Sequence, residues 1–242
     1  MSPVAPSATA APQRARAWDL PTRAFHWSLV ALIAAAWATS TFAEKLGDAT
    51  LRLHRGIGLA VLVLVVWRLL WGLVGSSTSR FAGFVRSPGA ALSYARDLAS
   101  GRDRRFLGHN PLGAFMVLAL LAVVAGQGAL GLFTVEHNDL ASGPLARFVA
   151  EELWKPIRRW HHFLFETALL PLAGLHILAN VLYGVVKREP LIPAMVTGSK
   201  PAAAYEDAPT ATLAPTWRAL VCLALAAALV LAPIKLLAGR LL

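Results

Sequence analysis

A chain of 242 residues with 57% hydrophobic and only 15% charged side chains, and a mean hydropathy of +0.57, is too apolar for an ordinary soluble domain. Its net charge of +10 would point to nucleic acid in a soluble protein, but long apolar runs separate the basic residues, which matches positive-inside sorting in a bilayer instead. The single cysteine, Cys222, lies inside an apolar run and excludes disulfides, thiolate metal clusters and covalent CxxCH cofactor attachment within the chain.

Residues 1–17, rich in Ala, Pro and Ser, read as a disordered cytoplasmic tail. Five runs then approach the ~20 residues that a hydrocarbon core demands of a helix. The first, near 22–43, follows Asp19 and Pro21, a cap and first-turn pair. The second covers about 51–74. The connection after it, 75–110, carries Arg80, Arg86, Arg96, Arg102, Arg104 and Arg105 against Asp97 and Asp103, which assigns it to the cytoplasm. The third run, near 111–133, follows Asn110 and Pro111 in the manner of the first. The connection 134–157 sets Glu136, Asp139, Glu151 and Glu152 against Arg147 and Lys155 and suits the opposite side. The fourth run, near 158–186, returns to Lys187 and Arg188 on the inside, and a polar stretch leads to a fifth, near 217–238, that holds no histidine and reads as an accessory anchor. The expected fold is an all-α membrane protein. A four-helix transmembrane core spans 18–200, a linker 201–216, and a fifth C-terminal transmembrane helix lies within 217–242.

Four of the seven histidines sit within the apolar runs: His26, His54, His162 and His176. Ionisable residues at such depth need partners. With odd spans running outward and even spans inward, depth pairs His26 with His176 near the inner face and His54 with His162 near the outer face. The two histidines of the fourth run are 14 residues apart, which at ~100° per residue puts them within roughly 40° of one helix face and about 21 Å apart. One helix can then ligate two stacked haems, each held between two neutral imidazoles whose other ring nitrogen donates to a carbonyl or side chain. Two histidines per iron leave no open position, which favours electron transfer over oxygen binding. The plain alternative for each histidine is a packed polar residue bonded to a neighbouring helix; agreement in depth among four of them favours the ligand reading. His176 lies about ten residues before the end of its run and His26 about five into its own, so the fourth helix must tilt or project for that pair to meet.

The motifs WDLPTRAFHW at 18–27, LHRGIGL at 53–59, WRLLWG at 67–72, GHNPLG at 108–113, the pair His162 and His176, and AMVTGSK at 194–200 together resemble the bacterial cytochrome b561 family, including the b-type cytochrome subunits of nickel-iron hydrogenases. The resemblance runs from about Trp18 to Lys200. It implies a four-helix haem-binding core in a bacterial inner membrane, with His26, His54, His162 and His176 at the ligand positions. It also implies electron exchange between a quinone and a redox partner: a hydrogenase-like enzyme, a periplasmic c-type cytochrome, or a small species such as superoxide. The fifth span has no counterpart in the four-helix core.

Arg68, 14 residues after His54, shares its face at the depth of the inner haem and is a candidate for a propionate or quinone headgroup, with snorkelling to the interface as the alternative. Arg23 and His109 lie at the inner boundary and are further propionate candidates, against interface anchoring and helix capping. Glu166, one turn from His162, reads as a neutral structural carboxyl or a ligand-orienting group. His161 points about 100° away from His162 on an ideal helix and is expected to have no share in its role. His137 reads as a solvent-exposed loop residue. Gly56, Gly58, Gly126, Gly128 and Gly131 allow close helix packing or the approach of a macrocycle. Pro171 predicts a kink between the two histidines of the fourth span. Trp37, the one tryptophan well inside a run, is expected to pack in the core, with a place beside a haem as the alternative. Two other functions compete: a haem-free histidine path for metal ions or protons, and a membrane anchor for a soluble oxidoreductase.

Overall fold

The computed structural model describes residues 14–47, 49–102, 104–135, 142–208 and 211–239. Five of its helices are long and apolar enough to cross a membrane: Leu20–Thr41, Ala49–Val74, Pro111–Phe133, Glu151–Val186 and Thr216–Ala238. These are the first to fifth spans below. The chain has the all-α membrane architecture expected of it.

Local chemistry sets two of the starts. Asp19 accepts the Thr22 N–H at 2.6 Å ahead of Pro21, and Asn110 accepts that of Gly113 at 2.8 Å ahead of Pro111. The second span is the hub. It packs against the first, third and fifth spans, and the third also packs against the fourth. Ile57, Val61 and Val65 of the second span meet Val124 of the third and Leu169 of the fourth in the central cluster. Large apolar side chains on the outer surfaces, such as Leu178, Val185, Leu229 and Leu236, stay exposed, as lipid-facing residues should.

The fourth span is longer than its hydropathy suggests, because the helix begins at Glu151, well before the apolar run. Within it, Leu164–Leu169 is a π turn, in which the Leu170 N–H bonds to the Phe165 carbonyl five residues back. Pro171 follows at once. Proline supplies no N–H and its ring crowds the carbonyl four residues earlier, so the wider turn relieves the conflict that the sequence resolves with a kink.

The face that carries both the N-terminal segment and the 75–110 connection is closed by a polar cap. Arg14–Arg16 pairs antiparallel with Ser199–Pro201, Ala15 opposite Lys200, and the Ala17 and Trp18 N–H groups donate to the Gly198 carbonyl at 2.9 and 3.0 Å. Gly198 ends the short helix Leu191–Thr197 with a φ of 87°, which suits glycine. The tail expected to be disordered up to residue 17 is thus strand by Arg14, because its backbone finds partners in the AMVTGSK motif; residues 1–13 lie outside the described part. The stretch 201–208, expected as linker, packs into the same cap. Asp207 accepts the Leu107 and Gly108 N–H groups at 2.6 and 2.8 Å, and Tyr205 is buried beside Trp18 and Leu107. Residues 88–99 form a helix capped by Ser87, where the sequence showed only a basic connection.

The fifth span lies on the second through small residues. Ala219, Cys222 and Ala226 face Trp67 and Trp71, and the Trp67 indole donates to the Ala219 carbonyl at 2.9 Å.

Candidate functional site

The first and fourth spans bring His26 and His176 together, their ring centres 6.4 Å apart and planes inclined at 50°. Two metal–imidazole bonds of ~2 Å plus the rings' own radii of roughly 1 Å put the centres of a bis-imidazole pair about 6 Å apart. The pair therefore has the separation of two imidazoles clasping one metal. His26 Nδ1 is buried without a hydrogen-bond partner, and the His176 ring is flanked by the Asn180 amide at 3.4 Å.

Cationic and donor groups gather at this end of the bundle. Arg68 is 3% exposed, with its guanidinium over the Phe81 and Phe84 rings at 4.9 and 5.9 Å and Nη1 buried and partnerless. The 81–84 helix covers it, so it does not snorkel to water. Arg23 donates through Nη1 to the Val196 carbonyl, while its Nε is buried without a partner. The His109 ring lies 4.8 Å from that of Trp18 and 4.5 Å from that of Phe84, and its Nδ1 also lacks a partner. Burial first, then the charges of Arg68 and Lys200, push the His109 imidazole down to about 3, so it is neutral at physiological pH.

At the other end, His54 of the second span sends Nδ1 to the Ala36 carbonyl at 2.9 Å, with the Thr39 hydroxyl at 3.3 Å. A ring nitrogen held by a backbone carbonyl fixes the tautomer and leaves Nε2 with its lone pair, the form a metal takes. One turn on, a Cβ at Gly58 would meet nothing within 4 Å, so the backbone there borders open space.

His162 is exposed, while His161 turns inward, its Nδ1 3.1 Å from the Gln127 carbonyl and its Nε2 3.3 Å from the Gln127 amide nitrogen. His161 and His162 both lie in the α-helical stretch Glu151–Phe163 and point about 100° apart, as expected; the π turn after them changes their register only against His176. A Cβ at Gly131 would press on the His161 ring at 3.2 Å, and one at Gly128 would strike Leu62 of the second span at 2.6 Å; these two glycines serve packing. Glu166 is exposed within the π turn. Trp37 is 48% exposed and edges onto Phe42, not the core. His137 lies outside the described residues.

The sequence did not reveal the hub at 76–79. Ser79 Oγ meets Thr22 Oγ1 at 2.7 Å, Trp71 donates to that hydroxyl at 3.1 Å, Thr78 donates to the Ala17 carbonyl at 2.8 Å, and Ser76 accepts the Ala214 N–H at 2.9 Å. The run of four hydroxyl residues straight after an apolar span was the available signal.

Among the described residues no three His, Cys, Asp or Glu side chains converge as a metal cage. A bare ion usually needs three or more protein ligands, whereas a porphyrin brings four nitrogens and asks the protein for two. The donor set therefore fits haem. Residues 17–198 match the family model described as prokaryotic cytochrome b561. No curated protein and no solved structure matches the chain. The match covers most of the molecule and includes every histidine pair described above, so the chain belongs to the prokaryotic cytochrome b561 family and is a membrane b-type cytochrome of electron transfer.

Proposed function

We propose that the chain is a dihaem cytochrome that passes electrons across a bacterial inner membrane between the quinone pool and a redox partner. The observation that carries this reading is the His26–His176 pair, at bis-imidazole separation, together with a second, carbonyl-locked imidazole, His54, towards the opposite end of the bundle. Haem, when bound, supplies one-electron exchange between ferric and ferrous iron. His26 and His176 hold the inner group, and His54 with an imidazole of the fourth span holds the outer, His162 being the residue that the sequence names. Asn180 and the Ala36 carbonyl orient the ligand rings. Arg68 and Arg23, each with a buried partnerless donor atom, offer charge-assisted hydrogen bonds to propionates on the inner side. Neutral His109 adds a donor or acceptor there without a charge. The apolar cluster of Ile57, Val61, Val65, Val124 and Leu169 keeps water from the interior between the two histidine levels.

The test is a reduced-minus-oxidised spectrum of the purified protein with a haem-to-protein ratio. Two low-spin b haems per chain are expected, falling to one in His26→Ala. In the native complex, His54→Ala is expected to abolish quinone reduction by the partner; full retention would reduce the chain to an anchor. A colourless wild-type protein would instead favour a histidine path for ions or protons.

A further inference from the structure

We infer that the chain beyond residue 200 clamps the inner haem site, with Asp207 positioning His109 and the fifth span anchoring the turn over Arg68; this rests on the inner haem of the dihaem reading above. The segment lies outside the family core of residues 17–198, yet it grips the two stretches that shape the inner end of the bundle. The first is 76–79. The Ala214 N–H donates to Ser76 Oγ at 2.9 Å, the Thr212 N–H to Ser77 Oγ at 2.8 Å, and the Ser77 N–H to the Thr212 carbonyl at 3.0 Å. The second is 104–108. Arg104 forks onto the Glu206 carboxylate at 2.7 and 2.8 Å, the Glu206 N–H donates to the Arg105 carbonyl at 3.0 Å, and Asp207 takes the Leu107 and Gly108 N–H groups, one on each oxygen. The two stretches meet at Gly108, where a Cβ would lie 3.2 Å from the Asp207 carboxylate and 3.3 Å from the Thr78 side chain.

Both stretches lead directly into site residues. Residues 76–79 turn the chain into the 81–84 helix, with the Ser79 and Arg80 N–H groups on the Ser76 carbonyl at 2.8 and 3.0 Å, and that helix lays Phe81 and Phe84 over the Arg68 guanidinium. Leu107 and Gly108 immediately precede His109, whose ring leans on Phe84. Two charge-assisted bonds from one carboxylate to consecutive amides fix the direction in which the chain enters that histidine. The fifth span in turn holds Trp67, the neighbour of Arg68, through the Ala219 carbonyl. Arg68 Nη1 has no hydrogen-bond partner, so its shelter from water depends on the aromatic cover above it. A buried cation favours an added electron nearby, and the effect weakens as water raises the local dielectric. A segment that fixes the cover therefore sets part of the inner haem's potential.

The experiment compares Asp207→Ala, Asp207→Asn and Ser76→Ala in the full-length protein purified from membranes. Potentiometric titration followed by optical and electron paramagnetic resonance spectra gives the two haem midpoints, with His26→Ala identifying the inner haem as the one lost. Amide hydrogen exchange is read over 76–84 and 104–110. Asp207→Ala and Ser76→Ala are expected to lower the inner midpoint, to leave the outer one at its wild-type value, and to speed exchange in both segments. Asp207→Asn, which keeps one acceptor oxygen, should lower the inner midpoint by less. A role of Asp207 through its charge alone would instead raise the inner midpoint equally in its two variants, and that result overturns the positioning. An unchanged inner midpoint, or an equal shift of both haems, overturns it as well. If Asp207→Ala binds no haem, Ser76→Ala decides on the same criteria. A wild-type protein that lacks the inner haem fails the dihaem reading itself. Exchange then decides the clamp alone: unaltered rates at 104–110 in Asp207→Ala overturn it, and faster rates uphold it.

Discussion

His109 shows how burial turns a titratable side chain into a pH-dependent element of stability. The imidazole is wedged between Trp18 and Phe84 and held at about 3, against 6.5 when free. Between those values the unfolded chain binds a proton that the folded chain refuses, so stability is full above about 6.5 and declines as the pH falls towards about 3. Thermal melts followed by circular dichroism are expected to show this decline between pH 7 and 5, with a shallower slope in His109→Gln; equal slopes would contradict it. Arg68 makes a second prediction at this scale. Its buried guanidinium, at the same end as His26 and His176, favours the electron-rich state of a nearby redox group. Replacing it with Leu should lower the midpoint potential of the inner haem by tens of millivolts, the equivalent of roughly 1–2 kcal/mol for a one-electron couple. A potentiometric titration with an unchanged midpoint would remove Arg68 from the inner site.

At the level of the helix, a single-residue deletion tests the register of the fourth span. Removing the exposed Thr167 while changing Pro171 to Ala takes out both the extra residue and the reason for the π turn. Residues before the turn then keep their angle to His176 on a straight helix, because the π turn had absorbed the residue removed. Full haem content is expected in this variant; loss of the outer haem would show that the fourth span needs the π turn itself. The same turn explains what the sequence could and could not reveal. The starts of the first and third spans were legible because Asp19 and Asn110 cap residues only three positions away. The meeting of His26 and His176 was legible from depth alone. The orientation of the fourth-span imidazoles at the other end was not, because a 100° periodicity presumes that no residue is inserted, and only Pro171 hinted otherwise. The cap was hidden for a different reason: Lys200 reaches the Phe106 carbonyl and Glu189, Asp207 reaches Leu107 and Gly108, and Ser76 reaches Ala214. Contacts so distant in sequence leave no local pattern.

Across the molecule, charge and burial together make the orientation measurable. One face of the bundle carries Arg14, Arg16, Arg80, Arg86, Arg96, Arg102, Arg104, Arg105, Lys187, Arg188 and Lys200, whereas the start of the fourth span on the other face mixes Glu151 and Glu152 with Lys155, Arg158 and Arg159. The positive-inside rule predicts that the basic face is cytoplasmic. Cys222 is the only cysteine and is packed beneath Trp67 and Trp71 by the fifth span, so the native chain is its own low background for thiol labelling. A cysteine placed at exposed Glu151 should react with a membrane-impermeant maleimide in intact spheroplasts, and one at exposed Arg102 only after lysis. Labelling in the opposite order would invert the bundle. The haem clasped by His26 and His176 would then lie on the outer side, and the quinone and partner ends of the proposed path would exchange places.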